Sequence, residues 1–176
     1  MKITTAWYVI TGASCSGKST TIDLLEKRGY RVVHETARTI IDQGLAKGLT
    51  IQEVRKDEHA FQSAVLDMKI EIEKHLDPKE VVFLDRGIPD TCAYEKLYKI
   101  TPDPSLQEAL THCAYKKIFI LDQLPYAPDF ARIETDEEQN KLHQFLEETY
   151  RCLGFEIVKV PAIPINERIE FILGRL

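Results

Sequence analysis

Gly12-Ala13-Ser14-Cys15-Ser16-Gly17-Lys18-Ser19 decides how the whole chain is read: two glycines with four residues between them, the second followed by Lys and Ser. This is the pattern of a phosphate-binding P-loop. Upstream, Trp7-Tyr8-Val9-Ile10-Thr11 is an apolar run rich in β-branched and aromatic residues, which predicts a buried strand. Downstream, Ser19 to Lys27 carries helical spacing, so the motif sits where it must, between a strand and a helix. A polyanionic phosphate chain is held there by backbone N–H groups and the positive end of the helix dipole. Gly12 and Gly17 let the backbone turn tightly and come close. The expected nucleotide-binding set is Gly12, Ala13, Ser14, Cys15, Ser16, Gly17, Lys18, Ser19 and Thr20, with Lys18 on the β- and γ-phosphates and the Ser19 hydroxyl on Mg²⁺.

At 176 residues the chain is expected to form a single α/β domain, residues 1–176. The net charge of −5 is spread along the chain, so no extended nucleic-acid or anionic-membrane surface is expected. Cys15, Cys92, Cys113 and Cys152 form neither a Cys-x-x-Cys pair nor a zinc spacing with histidine, and read as reduced thiols of a cytoplasmic protein. The short N-terminal apolar run is consumed by the P-loop strand, so neither a signal peptide nor a membrane span is expected.

Outward from the P-loop, Arg31-Val32-Val33-His34 reads as a second strand ending at Glu35, followed by a helix from Glu35 halted at Gly44. Thr50-Ile51-Gln52-Glu53 is a capping box that opens a long helix to about Leu76, and residues 36–76 form a helical acceptor-side region. Val81-Val82-Phe83-Leu84-Asp85 has the form of a central parallel strand that delivers one acid to its C-terminal edge. Short helices are expected around 91–98 and 105–112, then a strand over 117–121. Residues 122–135 read as a lid-like loop broken by Pro125 and Pro128. A capping box at Thr135-Asp136-Glu137-Glu138 opens the next helix, Phe155 to Val160 is the fifth strand, and Asn166 to Leu176 a closing helix. Strands alternate with helices, which predicts a three-layer architecture, a parallel sheet with helices on both faces.

Ligands of such sheets gather at the carboxyl edge, and three groups fall there. Asp85, ending its strand, occupies the place of the acid that holds Mg²⁺ through water, and the adjacent Arg86 would neutralise charge on a transferring phosphoryl group. Glu35 would orient an acceptor hydroxyl and take its proton, while Arg38, three residues on, would hold an anionic acceptor. The alternative for this pair is a dipole-complementing acid in a solvated ion pair. Arg132 reads as a lid arginine or as a surface partner of Glu134 or Asp129. Asp90 and Tyr94 would line the acceptor pocket, Tyr94 also reading as a packed aromatic. Asn140-Lys141 lacks the following acid of a GTPase base-recognition motif.

Arg28-Gly29-Tyr30-Arg31-Val32-Val33-His34-Glu35-Thr36-Ala37-Arg38, Asp85-Arg86-Gly87-Ile88-Pro89-Asp90 with Ala93-Tyr94, and Leu153-Gly154-Phe155-Glu156-Ile157-Val158, together with the P-loop, resemble the AAA-type P-loop ATPase family. That family is related to the ribosylnicotinamide kinase domain of bacterial NAD regulators. The resemblance implies a kinase-like fold with a five-stranded sheet in 2-3-1-4-5 order. It matches Glu35, Asp85 and Arg86 to a base and an acid–arginine pair. The resulting expectation is a Mg²⁺-dependent transfer of phosphate from ATP, with GTP as the other candidate, to a hydroxyl of a small metabolite such as a nucleoside or ribosyl compound. The rival reading is a nucleotide-dependent switch acting through a protein partner, and a kinase with a macromolecular acceptor is a third.

Overall fold

The computed structural model describes residues 5–124 and 135–176. Five parallel strands, β1 (Trp7–Thr11), β2 (Arg31–Val33), β3 (Val82–Asp85), β4 (Lys117–Leu121) and β5 (Ile157–Val160), form one sheet in the order β2-β3-β1-β4-β5. β1 is central and buried at every position, as its continuous apolar run requires. Tyr8, Ile10, Phe83, Phe119 and Leu121 point to one face, where they pack with Ile22 and Leu25 of α1 (Lys18–Lys27) and Ile169 and Ile172 of α8 (Ile165–Leu173). Trp7, Val9, Leu84, Ile118 and Ile120 point to the other. There Leu66 of α4 (Glu58–Lys74), Leu106 of α6 (Pro104–His112) and Tyr150 of α7 (Asp136–Cys152) cover them.

Register places the site. Ile10 pairs with Asp85 and Val33 with Leu84, so the P-loop after β1, the Asp85 turn after β3 and Glu35 after β2 leave the same edge side by side. Glu35 stands two strands from the P-loop, on the order of 10 Å across the sheet.

Two expected helix boundaries differ. The helix α2 (Thr36–Ala46) runs through Gly44 instead of halting there. Gly44 is needed for packing, since a Cβ on it would stand 2.2 Å from Val54 Cγ2. The helix opened by Thr50 stops after one turn, α3 (Ile51–Val54), and Asp57 caps a new helix, α4, by accepting from the Ala60 N–H at 3.0 Å. Arg55, in the break, turns to the carboxylate of Glu58 at 2.7 Å. The capping box at Thr135 opens α7, and α5 (Asp90–Tyr98) follows the Asp85 turn. Among the described residues no helix is long and apolar enough to cross a membrane.

Candidate active site

The P-loop is shaped by three residues in left-handed backbone conformations: Gly12 at φ +145°, Cys15 at +57° and Gly17 at +78°. At Gly12 close approach adds to the demand, because a Cβ would lie 2.7 Å from the Leu121 carbonyl oxygen of the neighbouring strand. Lys18 is buried and arches over its own loop, donating to the Ala13 carbonyl at 2.8 Å and to Ser16 Oγ at 3.3 Å. Burial, with Arg86 nearby, lowers its ammonium to a pKa of about 8, an environment that favours a compensating anion. Ser19 and Thr20, at the start of α1, are exposed.

On β3, Asp85 is buried and its Oδ1 has no hydrogen-bond partner among the described residues. Burial and the nearby Glu35 carboxylate push its pKa up to about 7. A buried carboxylate oxygen without a partner among the described residues, at the sheet edge from which the P-loop also leaves, is a group that a hydrated Mg²⁺ fits.

Arg86 bridges the two halves of the site. From a backbone at φ +69°, its buried guanidinium donates to the Gly12 carbonyl at 3.1 Å, to Asp90 Oδ1 at 3.1 Å and, through Nε, to Glu35 Oε1 at 2.8 Å. The Tyr94 ring lies 5.2 Å from it and stacks on Tyr98 at 6.1 Å, giving an aromatic wall beside the guanidinium. Burial raises the Glu35 carboxyl, but Arg86 and Lys18 outweigh it and hold the group below the ordinary carboxylate value. Glu35 is therefore ionised, with 29% of its side chain open to solvent.

Among the other sequence candidates, Arg38 is exposed and faces Asp42 at 3.6 Å along α2. Asp90, expected to line an acceptor pocket, is fully buried behind Arg86. Its oxygens are taken by Thr11 Oγ1 at 2.5 Å, the Gly87 N–H at 3.1 Å, the Tyr150 hydroxyl at 2.5 Å and Arg86. A buried acid so fully answered braces its neighbours. Arg132 lies outside the described residues, as does the lid-like loop from 125 on.

Sequence reasoning missed three groups. Gln139 of α7 is buried and accepts from the Ser14 N–H of the P-loop at 2.6 Å; the available signal was an amide on the same helical stripe as Leu142 and Leu146. Arg168 of α8, fully buried, ties the loop before α8 to the P-loop by donating to the Pro161 carbonyl at 3.2 Å and to that of Ser16 at 2.5 Å. Behind the Asp85 turn, Lys69 donates to the Gly87 carbonyl at 2.8 Å, and the Tyr115 hydroxyl accepts from the Ile88 N–H at 3.0 Å and donates to Glu73 at 2.6 Å.

A family model described as "AAA domain" matches residues 7–168. No curated protein matches the chain. Solved structures of the same fold include deoxyadenosine kinase from M. mycoides with bound dATP, at a TM-score of 0.67 and 16% identity over 96% of this chain and 97% of that one. Thymidylate kinase from Ehrlichia chaffeensis aligns at 0.63 and 16% over 96% of each chain. The NadR protein in complex with NAD and AMP-PNP aligns at 0.70 and 16%, over 98% of this chain and 49% of that one, so this chain spans about half its length. The chain thus shares the fold of these structures.

Proposed function

The chain belongs to the AAA domain family, and from that premise we propose that it transfers a phosphoryl group from ATP to a hydroxyl of a small acceptor, a nucleoside or related ribosyl compound. The observation that carries this reading is Arg86, whose one guanidinium joins the P-loop carbonyl of Gly12 to the Glu35 carboxylate two strands away. Such a group faces the donor phosphate and the acceptor acid at once, which a site for nucleotide binding alone does not need. The kinase folds of the deoxyadenosine kinase and NadR structures support it.

The roles follow from the geometry. The P-loop amides and Lys18 bind the β- and γ-phosphates, and the bound anion restores the charge that burial disfavours on the lysine. Ser19 and Asp85 would hold Mg²⁺, which supplies charge neutralisation on the phosphates when bound. Arg86, fixed by three acceptors, stabilises the equatorial charge that develops on the transferring group without reorganising. Glu35 carries a lowered pKa and so is a weak base. It orients the acceptor hydroxyl and takes its proton late, as a loose transition state permits. The Tyr94–Tyr98 wall offers a flat apolar surface to a planar acceptor.

The test is phosphate transfer from ATP-Mg²⁺ to a panel of nucleosides, nucleotides and ribosyl compounds, with hydrolysis followed in the same tubes. A phosphorylated product that falls by about a hundredfold or more in Glu35→Gln, with ATP affinity unchanged, is expected. Slow hydrolysis with no product would favour the nucleotide-dependent switch.

A further inference from the structure

We propose that the Tyr150 hydroxyl, from the far helix α7, is a positioning residue for Arg86, acting through Asp90; this rests on the phosphoryl-transfer reading for its kinetic consequence. Arg86 is shared between two carboxylates, the partly open Glu35 at 2.8 Å and the fully buried Asp90 at 3.1 Å. How the guanidinium divides itself depends on how much of the Asp90 charge other donors already answer. On Oδ1 the other donor is the Thr11 hydroxyl at 2.5 Å. On Oδ2 they are the Gly87 N–H at 3.1 Å and the Tyr150 hydroxyl at 2.5 Å.

Gly87 shows that this reach is built in, since a Cβ there would stand 2.7 Å from Tyr150 Oη. A side chain at that position and the tyrosine hydroxyl exclude each other. Burial and Asp90 keep the phenol protonated, so it acts as a donor throughout the working pH range. Among the described residues, withdrawing the hydroxyl leaves Oδ2 with one backbone donor and returns charge to the carboxylate. Arg86 is then drawn toward Asp90 and its bond to Glu35 lengthens. The ring of Tyr150, packed against Phe155, stays in place in a phenylalanine variant.

Tyr115 supplies the control. Its hydroxyl braces the same turn through the Ile88 N–H, yet touches neither Asp90 nor Arg86. The experiment uses the full ¹⁵N-labelled chain and follows the Arg86 Nε–H resonance, assigned by its loss in Arg86→Lys, in Tyr150→Phe and Tyr115→Phe. Alongside it, kcat and KM are measured for ATP and for the best acceptor. Tyr150→Phe is expected to speed solvent exchange of that proton by about tenfold or more and to lower kcat about tenfold with KM for ATP within about twofold. Tyr115→Phe is expected to lower thermal stability while leaving the Arg86 signal in place and kcat within about twofold. Should Tyr150→Phe not fold, Thr11→Val withdraws a hydroxyl from the other oxygen and is expected to act in the same direction. An unchanged Arg86 resonance in the Asp90-partner variants, or equal losses in both tyrosine variants, would overturn the proposal. If wild-type protein phosphorylates no acceptor, the kinase reading falls on its own and the Arg86 resonance still decides the positioning role.

Discussion

The two sides of the site are made of different material. The proposed donor side is a loop of eight consecutive residues, Gly12 to Ser19, whose form comes from left-handed backbone at Gly12, Cys15 and Gly17 and whose proposed binding groups are mostly main chain. The proposed acceptor side is assembled from side chains far apart in sequence: Glu35 after β2, Arg86 after β3, Asp90 on α5 and Tyr150 on α7. A backbone-built site tolerates change in most of its side chains and none in its glycines. A side-chain-built site depends on each partner, because a buried ion loses its compensation when one member goes.

The largest test of this contrast is Arg86→Lys. An ammonium cannot reproduce the planar fork that reaches Gly12, Glu35 and Asp90 together, so kcat is expected to fall by about 10³. Calorimetric affinity for ATP-Mg²⁺ should stay within about threefold, since the P-loop is left intact. A parallel loss of affinity would mean that the two sides are one unit.

Gln139→Glu tests the opposite intrusion, a side chain from α7 set against the donor loop. The glutamate can still accept from the Ser14 N–H, but it brings negative charge to the place where phosphates bind. ATP affinity is expected to drop about tenfold, with the loss shrinking in high salt. An unchanged affinity in titration calorimetry would show that Gln139 leaves the loop when phosphate binds.

The smallest effect concerns the support behind the acceptor side. Burial raises Glu73 from 4.5 to about 7, so the folded chain keeps a proton that the unfolded chain releases. The stability this group contributes is present below its unfolded value and is lost as pH rises through about 7. Glu73→Gln stays neutral and should flatten the dependence of melting temperature on pH between 5 and 8, a difference on the order of 2 kcal/mol at the alkaline end. Identical pH profiles in the two proteins would remove Glu73 as the source.

The same contrast explains what was readable beforehand. The P-loop, the five strands and the acids at the strand ends were legible, because hydrophobic period and glycine placement are local signals read one segment at a time, whereas the 2-3-1-4-5 order came from the family resemblance. The i,i+3 spacing of Arg38 from Glu35 gives no sign that Arg86, 51 residues from Glu35, is the arginine that bonds it. Nothing local in the sequence shows that Thr11 and Tyr150 converge on Asp90, so its buried, fully bonded state is not legible from the residues around it. Gly44 looked like a stop, and only Val54 opposite it shows that it is a packing position.

By itself the sequence determined the class of fold, the glycine-framed loop after β1 and the sheet edge at which the strand-end acids gather, since each follows from the conformational preferences of neighbouring residues. Tertiary structure alone decided how Arg86 is shared between Glu35 and Asp90, which helix braces it, and that Gln139 and Arg168 reach the P-loop. These are contacts between segments tens of residues apart, and their energy depends on burial and distance, which no local pattern encodes.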